Sequence, residues 1–144
     1  MHFPAWAGRV QQMLRKHRSD RVSWIGRVPE DSVGRLFRSV DLLVLPYNAS
    51  GGYSGAMNWA AACGVPIVAY DLPQLREFSK LLGANTTFVP RGSLDALVSA
   101  FLTTKRRAPT SPAVVDDEIR KRLEAPARAV RRLMTRILVG VDKV

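Results

Sequence analysis

The chain has 144 residues, 47% of them hydrophobic and 24% charged, with a formal net charge of +10. That length suits about one domain with a real core, and the composition excludes a disordered chain. No apolar run approaches the roughly 18–20 residues that a membrane-spanning helix needs. A single cysteine, Cys63, excludes an internal disulfide, and the first eighteen residues lack the pattern of a secretory signal. A cytoplasmic location is therefore expected. Residues 1–40 carry 8 basic and 3 acidic side chains, residues 105–144 carry 11 and 5, and residues 41–104 carry 3 and 4. A weakly charged centre thus lies between two basic ends, which suit nucleic acid, an anionic membrane surface or a phosphorylated ligand.

In chain order, Trp6, Val10, Met13 and Leu14 recur at helical spacing, which predicts an amphipathic helix over about 5–18. Arg21-Val-Ser-Trp-Ile25 reads as a short strand at 22–25, closed by Gly26. Pro29-Glu-Asp-Ser opens a helix to about residue 40, with Val33, Leu36, Phe37 and Val40 on its apolar face. Leu42-Leu-Val-Leu45, stopped by Pro46, has the continuous apolarity of a strand buried on both faces. A polar, glycine-bearing loop over 47–53 leads into a small-residue helix from Ser54 to Cys63, ended by Gly64. A strand at 66–70 follows, then a helix from Pro73 to Leu81. A weaker strand at 86–89 precedes a helix over 94–104 with Ser93 as its N-cap. Residues 105–113, basic and twice interrupted by proline, read as a linker. Residues 114–139 read as a long basic helix broken near Pro126. The organisation expected is a domain over 1–104, the linker, and a basic helical segment over 114–144.

Strands alternating with helices of this length predict an α/β fold, a Rossmann-like parallel sheet of about four strands with helices on its faces. Ligands of such sheets bind at the carboxyl ends of the strands, which selects loops 26–29, 46–53 and 70–73. Of these, Asn48-Ala-Ser-Gly-Gly-Tyr-Ser-Gly55 carries the strongest signal. Its glycines let a ligand approach the backbone, the helix that it opens presents unpaired N–H groups, and Ser50 and Ser54 add hydroxyls. A phosphate or diphosphate fits that chemistry; an ordinary tight turn with a serine N-cap fits the same residues. The spacing matches neither a Walker A sequence nor GxGxxG.

Several segments follow one another at a recognisable spacing. These are Arg21-Val-Ser-Trp-Ile-Gly-Arg-Val-Pro-Glu30, Leu36-Phe37, Val40-Asp41-Leu-Leu-Val-Leu-Pro46 and Ala60-Ala-Ala-Cys-Gly-Val-Pro-Ile-Val-Ala69. Over about residues 10–103 they resemble the C-terminal, donor-binding half of GT-B glycosyltransferases of family 4, the "glycosyl transferases group 1" type. The resemblance implies a retaining enzyme that moves a sugar from a nucleotide-diphosphate sugar to an acceptor hydroxyl, with no cofactor and no required metal. With that resemblance, the candidate donor diphosphate contacts are Ser50, Gly51, Gly52, Tyr53, Ser54 and Gly55, through backbone N–H groups and hydroxyls. Arg27, for further charge neutralisation, and Glu77 are candidate donor contacts. The resemblance also implies a companion N-terminal half carrying the acceptor site, and a basic pair, upstream of the first strand read here, that neutralises the leaving group; this chain is expected to contain neither. No catalytic residue can be named. The family's two glutamates, separated by seven residues, fall on Gly51 and Trp59, so both carboxylates are replaced. Glu77 matches a family glutamate, but the Gly-Gly pair before it reads Pro73-Gln74.

Plainer roles stand beside these. His2 and His17 read as solvated surface residues, Asp41 as a local cap or ion-pair partner, and Trp59 as core. Asp116-Asp117-Glu118 reads as acidic dressing at a helix start. The basic helices read as solvated faces or as peripheral contacts with an anionic inner-membrane surface. No aromatic–basic interleaving accompanies the charge, so nucleic acid is not expected as a partner. Besides the glycosyltransferase, a non-catalytic nucleotide-sugar-binding module or partner subunit satisfies the same sequence. For the sheet, the family's strand order 3-2-1-4-5-6 makes 22–25 strand 3 and 42–45 strand 4. Without strands 1 and 2, the expectation is that 22–25 pairs directly with 42–45.

Overall fold

The computed structural model describes residues 5–16, 21–49, 53–106 and 124. They fall in two compact units, residues 1–30 and 31–144. The first holds helix α1 (Ala5–Lys16), whose last turn carries Arg15 and Lys16, cations at the end of the helix dipole that favours them. His2 and His17 lie outside the described residues. The segment 22–29 has no regular structure, and Val22, Trp24 and Ile25 are 55%, 41% and 62% exposed. The strand expected at 22–25 is therefore absent. A β-favouring run becomes a strand only by pairing, and Gly26, at φ +66°, turns the chain directly after it.

The second unit is the α/β body. It runs α2 (Glu30–Ser39), β1 (Leu43–Leu45), α3 (Gly55–Ala62), β2 (Ile67–Tyr70), α4 (Pro73–Leu82), β3 (Thr86–Val89) and α5 (Leu94–Thr103). All pairings are parallel in the order β1-β2-β3, with Leu43 opposite Ile67, Val44 opposite Val68, and Ile67 opposite Thr86. Among the described residues the sheet thus has three strands, not about four, and no strand pairs with the outer edge of β1. Asp41, expected to cap or pair locally, is exposed and does neither among the described residues.

Local chemistry sets the element ends. Ser54 and Ser93 cap α3 and α5, accepting hydrogen bonds from the N–H groups of Met57 and Ala96 at 3.2 and 3.3 Å. Pro73 opens α4, where its missing N–H costs nothing. Gly64 and Gly83, at φ +67° and +60°, end α3 and α4. In each case the glycine N–H donates three residues back, and the next residue donates five back, Val65 to Ala60 at 2.8 Å and Ala84 to Ser79 at 2.9 Å. The left-handed conformation that closes this double bond suits glycine.

Alternation along β2 divides the core. Ile67 and Ala69 join Met57, Ala60, Leu75 and Phe78 under α2, α3 and α4, whereas Val68 and Tyr70 join Val89, Leu97 and Ala100 under α5. All four β2 residues are buried, as a central parallel strand requires. No described helix is long and apolar enough to cross a membrane. Of the basic segment expected over 114–144, only Glu124 is described, and it is helical; the linker beyond residue 106 also lies outside the described residues.

Candidate functional site

Because the strands are parallel, the segments 46–54, 71–72 and 90–93 all leave the sheet at one edge. The longest leads from β1 into α3. Tyr47, Asn48 and Ala49 are exposed there, and Ser50, Gly51 and Gly52 lie outside the described residues. The loop closes on Tyr53, whose ring packs on Phe78 of α4 with centroids 4.6 Å apart and planes inclined by 43°. One ring face is thus held against the body while the residue stays 68% exposed.

Ser54 behaves differently from the exposed hydroxyl that the sequence suggests. It is buried, and its Oγ accepts from the Met57 N–H. Its first task is the helix cap. That bond uses one of the unpaired donors of the first turn and leaves the N–H groups of Gly55 and Ala56 without an intrahelical acceptor. Gly55 is exposed, and a Cβ added there would meet nothing within 4 Å. The start of α3 therefore offers backbone donors, the positive end of a helix dipole and open space, which together favour an anion.

The other expected contacts belong to other segments of the chain. Glu77 lies on the solvent side of α4, its carboxylate 3.0 Å from Lys80 Nζ, with both side chains largely exposed. Arg27 is exposed and belongs to the unit of residues 1–30. Trp59, where the sequence register places a family carboxylate, stacks on Phe37 with centroids 6.4 Å apart and planes 18° apart. A Cβ on Gly34 of α2 would meet the Trp59 ring at 3.4 Å. The ring knits α3 to α2, in line with the core role expected of it.

Three features escaped the sequence. Asp71, directly after β2, accepts two hydrogen bonds from Arg76, one of them from Nε at 3.0 Å, and that pairing holds its carboxyl below the ordinary carboxylate range. The same guanidinium lies 4.7 Å from the centre of the Phe88 ring, a cation–π contact that joins β2, α4 and β3. Asn58, one turn into α3, has a buried Oδ1 with no hydrogen-bond partner among the described residues. A lone amide in an otherwise small and apolar helix was the visible signal for the last; nothing local marked the other two contacts. Among the described residues no cluster of three or more His, Cys, Asp or Glu side chains could hold a metal.

Neither a curated protein nor a solved structure matches the chain. The family model for glycosyl transferases group 1 matches residues 5–105. That match takes in the parallel sheet, all its helices and the loop into α3, so the chain belongs to the glycosyl transferases group 1 family.

Proposed function

We propose that the chain is the donor-binding portion of a glycosyltransferase that takes a nucleotide-diphosphate sugar as substrate. The observation that carries this reading is the open N-terminus of α3 at the carboxyl edge of the sheet, in a chain of this family. In this reading the diphosphate lies against the Gly55 and Ala56 N–H groups with Tyr53 beside it, and Ser50, Gly51 and Gly52 are further candidate contacts. Negative charge grows on the leaving diphosphate as the glycosidic bond breaks, and fixed N–H dipoles stabilise it without reorganising. Ser54 contributes by holding the first turn in place. Arg27 and Glu77 are secondary candidates, the first for charge neutralisation and the second for a sugar hydroxyl.

With few charge-assisted contacts and no carboxylate at Trp59 for a ribose, affinity is expected to be weak, on the order of 0.1–1 mM. Titration of the full chain with UDP and GDP, followed by amide chemical shifts, tests this. The expected shifts centre on residues 53–56 and are lost in Gly55→Val; saturable shifts confined to other residues would overturn the reading.

A second reading, a non-catalytic nucleotide-sugar-binding module, is favoured by the stacking of Trp59 on Phe37. Donor hydrolysis separates the two. Slow release of free sugar that disappears in Gly55→Val supports the enzyme, and binding without any turnover supports the module.

A further inference from the structure

Helix α5 presents two apolar faces, and the sheet uses one. Leu97 and Ala100 are buried against Val68, Tyr70 and Val89. Leu94, Val98, Phe101 and Leu102, spaced i, i+4, i+7 and i+8 along one side of the helix, are 65%, 47%, 38% and 71% exposed. Four large apolar residues in one stripe mark a surface built to be covered.

The chain after α5 supplies a cover. Thr104 leaves the helix in an extended conformation, φ −65° and ψ 127°, and the Arg106 guanidinium lies 5.6 Å from the centre of the Phe101 ring. Beyond it, Ile119, Leu123, Val130, Met134 and Ile137 recur in steps that keep them on one side of a helix. Arg120, Lys121, Arg128 and Arg131 fall between them. That is an apolar stripe of the same kind, on a segment that needs a partner. Residues 104–113 span up to about 33 Å when extended, whereas α5, at ten residues, is about 15 Å long. The linker therefore reaches either end of the stripe. Tethering also gives the segment an effective concentration that a separate molecule must exceed to compete.

We propose that residues 114–139 dock as an amphipathic helical segment, broken near Pro126, on the Leu94, Val98, Phe101 and Leu102 stripe of α5, with their basic face turned to solvent. This surface is distinct from the loop at the start of α3, and the inference does not depend on the donor-binding reading.

Photo-crosslinking of the full chain tests it. Val98→p-benzoylphenylalanine places the probe in the stripe at an exposed position that leaves the core intact. In dilute protein the expected product is an internal crosslink into a peptide from 114–139 on a monomeric chain, lost when Leu123→Asp and Val130→Asp are combined. A crosslinked dimer would mean that a second copy covers α5, and a crosslink into 5–16 would assign the stripe to α1. Either result overturns the proposal, as does the absence of any crosslink.

Discussion

On the side of the sheet that carries Ile67 and Ala69, three helices close over a core of twelve buried residues. On the side that carries Val68 and Tyr70, one helix closes over five among the described residues. The same strand feeds both faces, so the difference lies in what was laid on them. The first face is finished by α2, α3 and α4, and even the ring of Trp59 is taken up between α2 and α3. Among the described residues the second ends at α5, whose outer stripe is exposed. The candidate site belongs to the finished face, while the other carries the stripe on which residues 114–139 are proposed to dock. Substitutions on the two faces should therefore differ in cost.

The largest contrast is expected between Leu75→Ala and Leu97→Ala. Leu75 is fully buried on the finished face and Leu97 is 7% exposed under α5. Leaving a cavity that its walls cannot fill costs about 3–4 kcal/mol for the first; a site with freer walls relaxes, and about 2 kcal/mol is expected for the second. Equal losses in urea denaturation of the full chain would dissolve the distinction.

Next come the glycine ends of the finished face. At Gly83 an added Cβ meets nothing within 4 Å, yet the backbone sits at φ +60°, so Gly83→Ala isolates backbone strain at about 1–2 kcal/mol. Gly55→Ala, at a helical position with equal space, should instead stabilise by up to about 1 kcal/mol. Opposite signs in one thermal-melt series would show that conformation, and not crowding, selects glycine at residue 83.

The serine caps compare the faces more gently. Ser54→Ala and Ser93→Ala each remove one capping bond, worth about 1 kcal/mol. Ser54 is buried and Ser93 half-buried, so the former should cost more, because the Met57 N–H loses its acceptor away from water. If Ser93→Ala costs as much as Ser54→Ala, the burial of the α3 cap has no energetic weight.

The smallest effect concerns acid. Arg76 hydrogen-bonds Asp71 and lowers its pKa in the folded chain. Such a group stabilises the fold above its unfolded pKa, about 3.9, and that contribution is lost as pH falls through the lower folded value. Asp71→Asn should therefore flatten the dependence of Tm on pH below about pH 4 and leave neutral behaviour almost unchanged, since the pair is exposed and screened. An unaltered acid limb would show that the pair contributes nothing.

Much of the body was legible from local chemistry. The apolar runs at 42–45, 66–70 and 86–89 became β1, β2 and β3 within a residue or so, and Ser54, Gly64 and Ser93 mark element ends as their side chains and φ preferences dictate. A cap is settled by four neighbouring residues, so sequence order is enough to find it. The candidate loop was legible for the same reason, as glycines between an apolar strand and a capped helix.

What remained depended on partners distant in the chain. The run at 22–25 has the composition of a strand, yet pairing decides whether a strand forms, and its residues stay exposed. The hydroxyl of Ser54 suited both a ligand and a cap, and burial under the finished face assigned it to the cap. Tyr53 rests on Phe78 and Arg76 on Phe88 because helices and strands separated in sequence meet across the sheet edge. The sequence by itself determined the elements of the α/β body, their ends and the family, since those follow from local backbone preference and apolar pattern. The tertiary structure decided which groups are occupied and which surfaces stay open, because burial and hydrogen bonding are properties of the assembled neighbourhood.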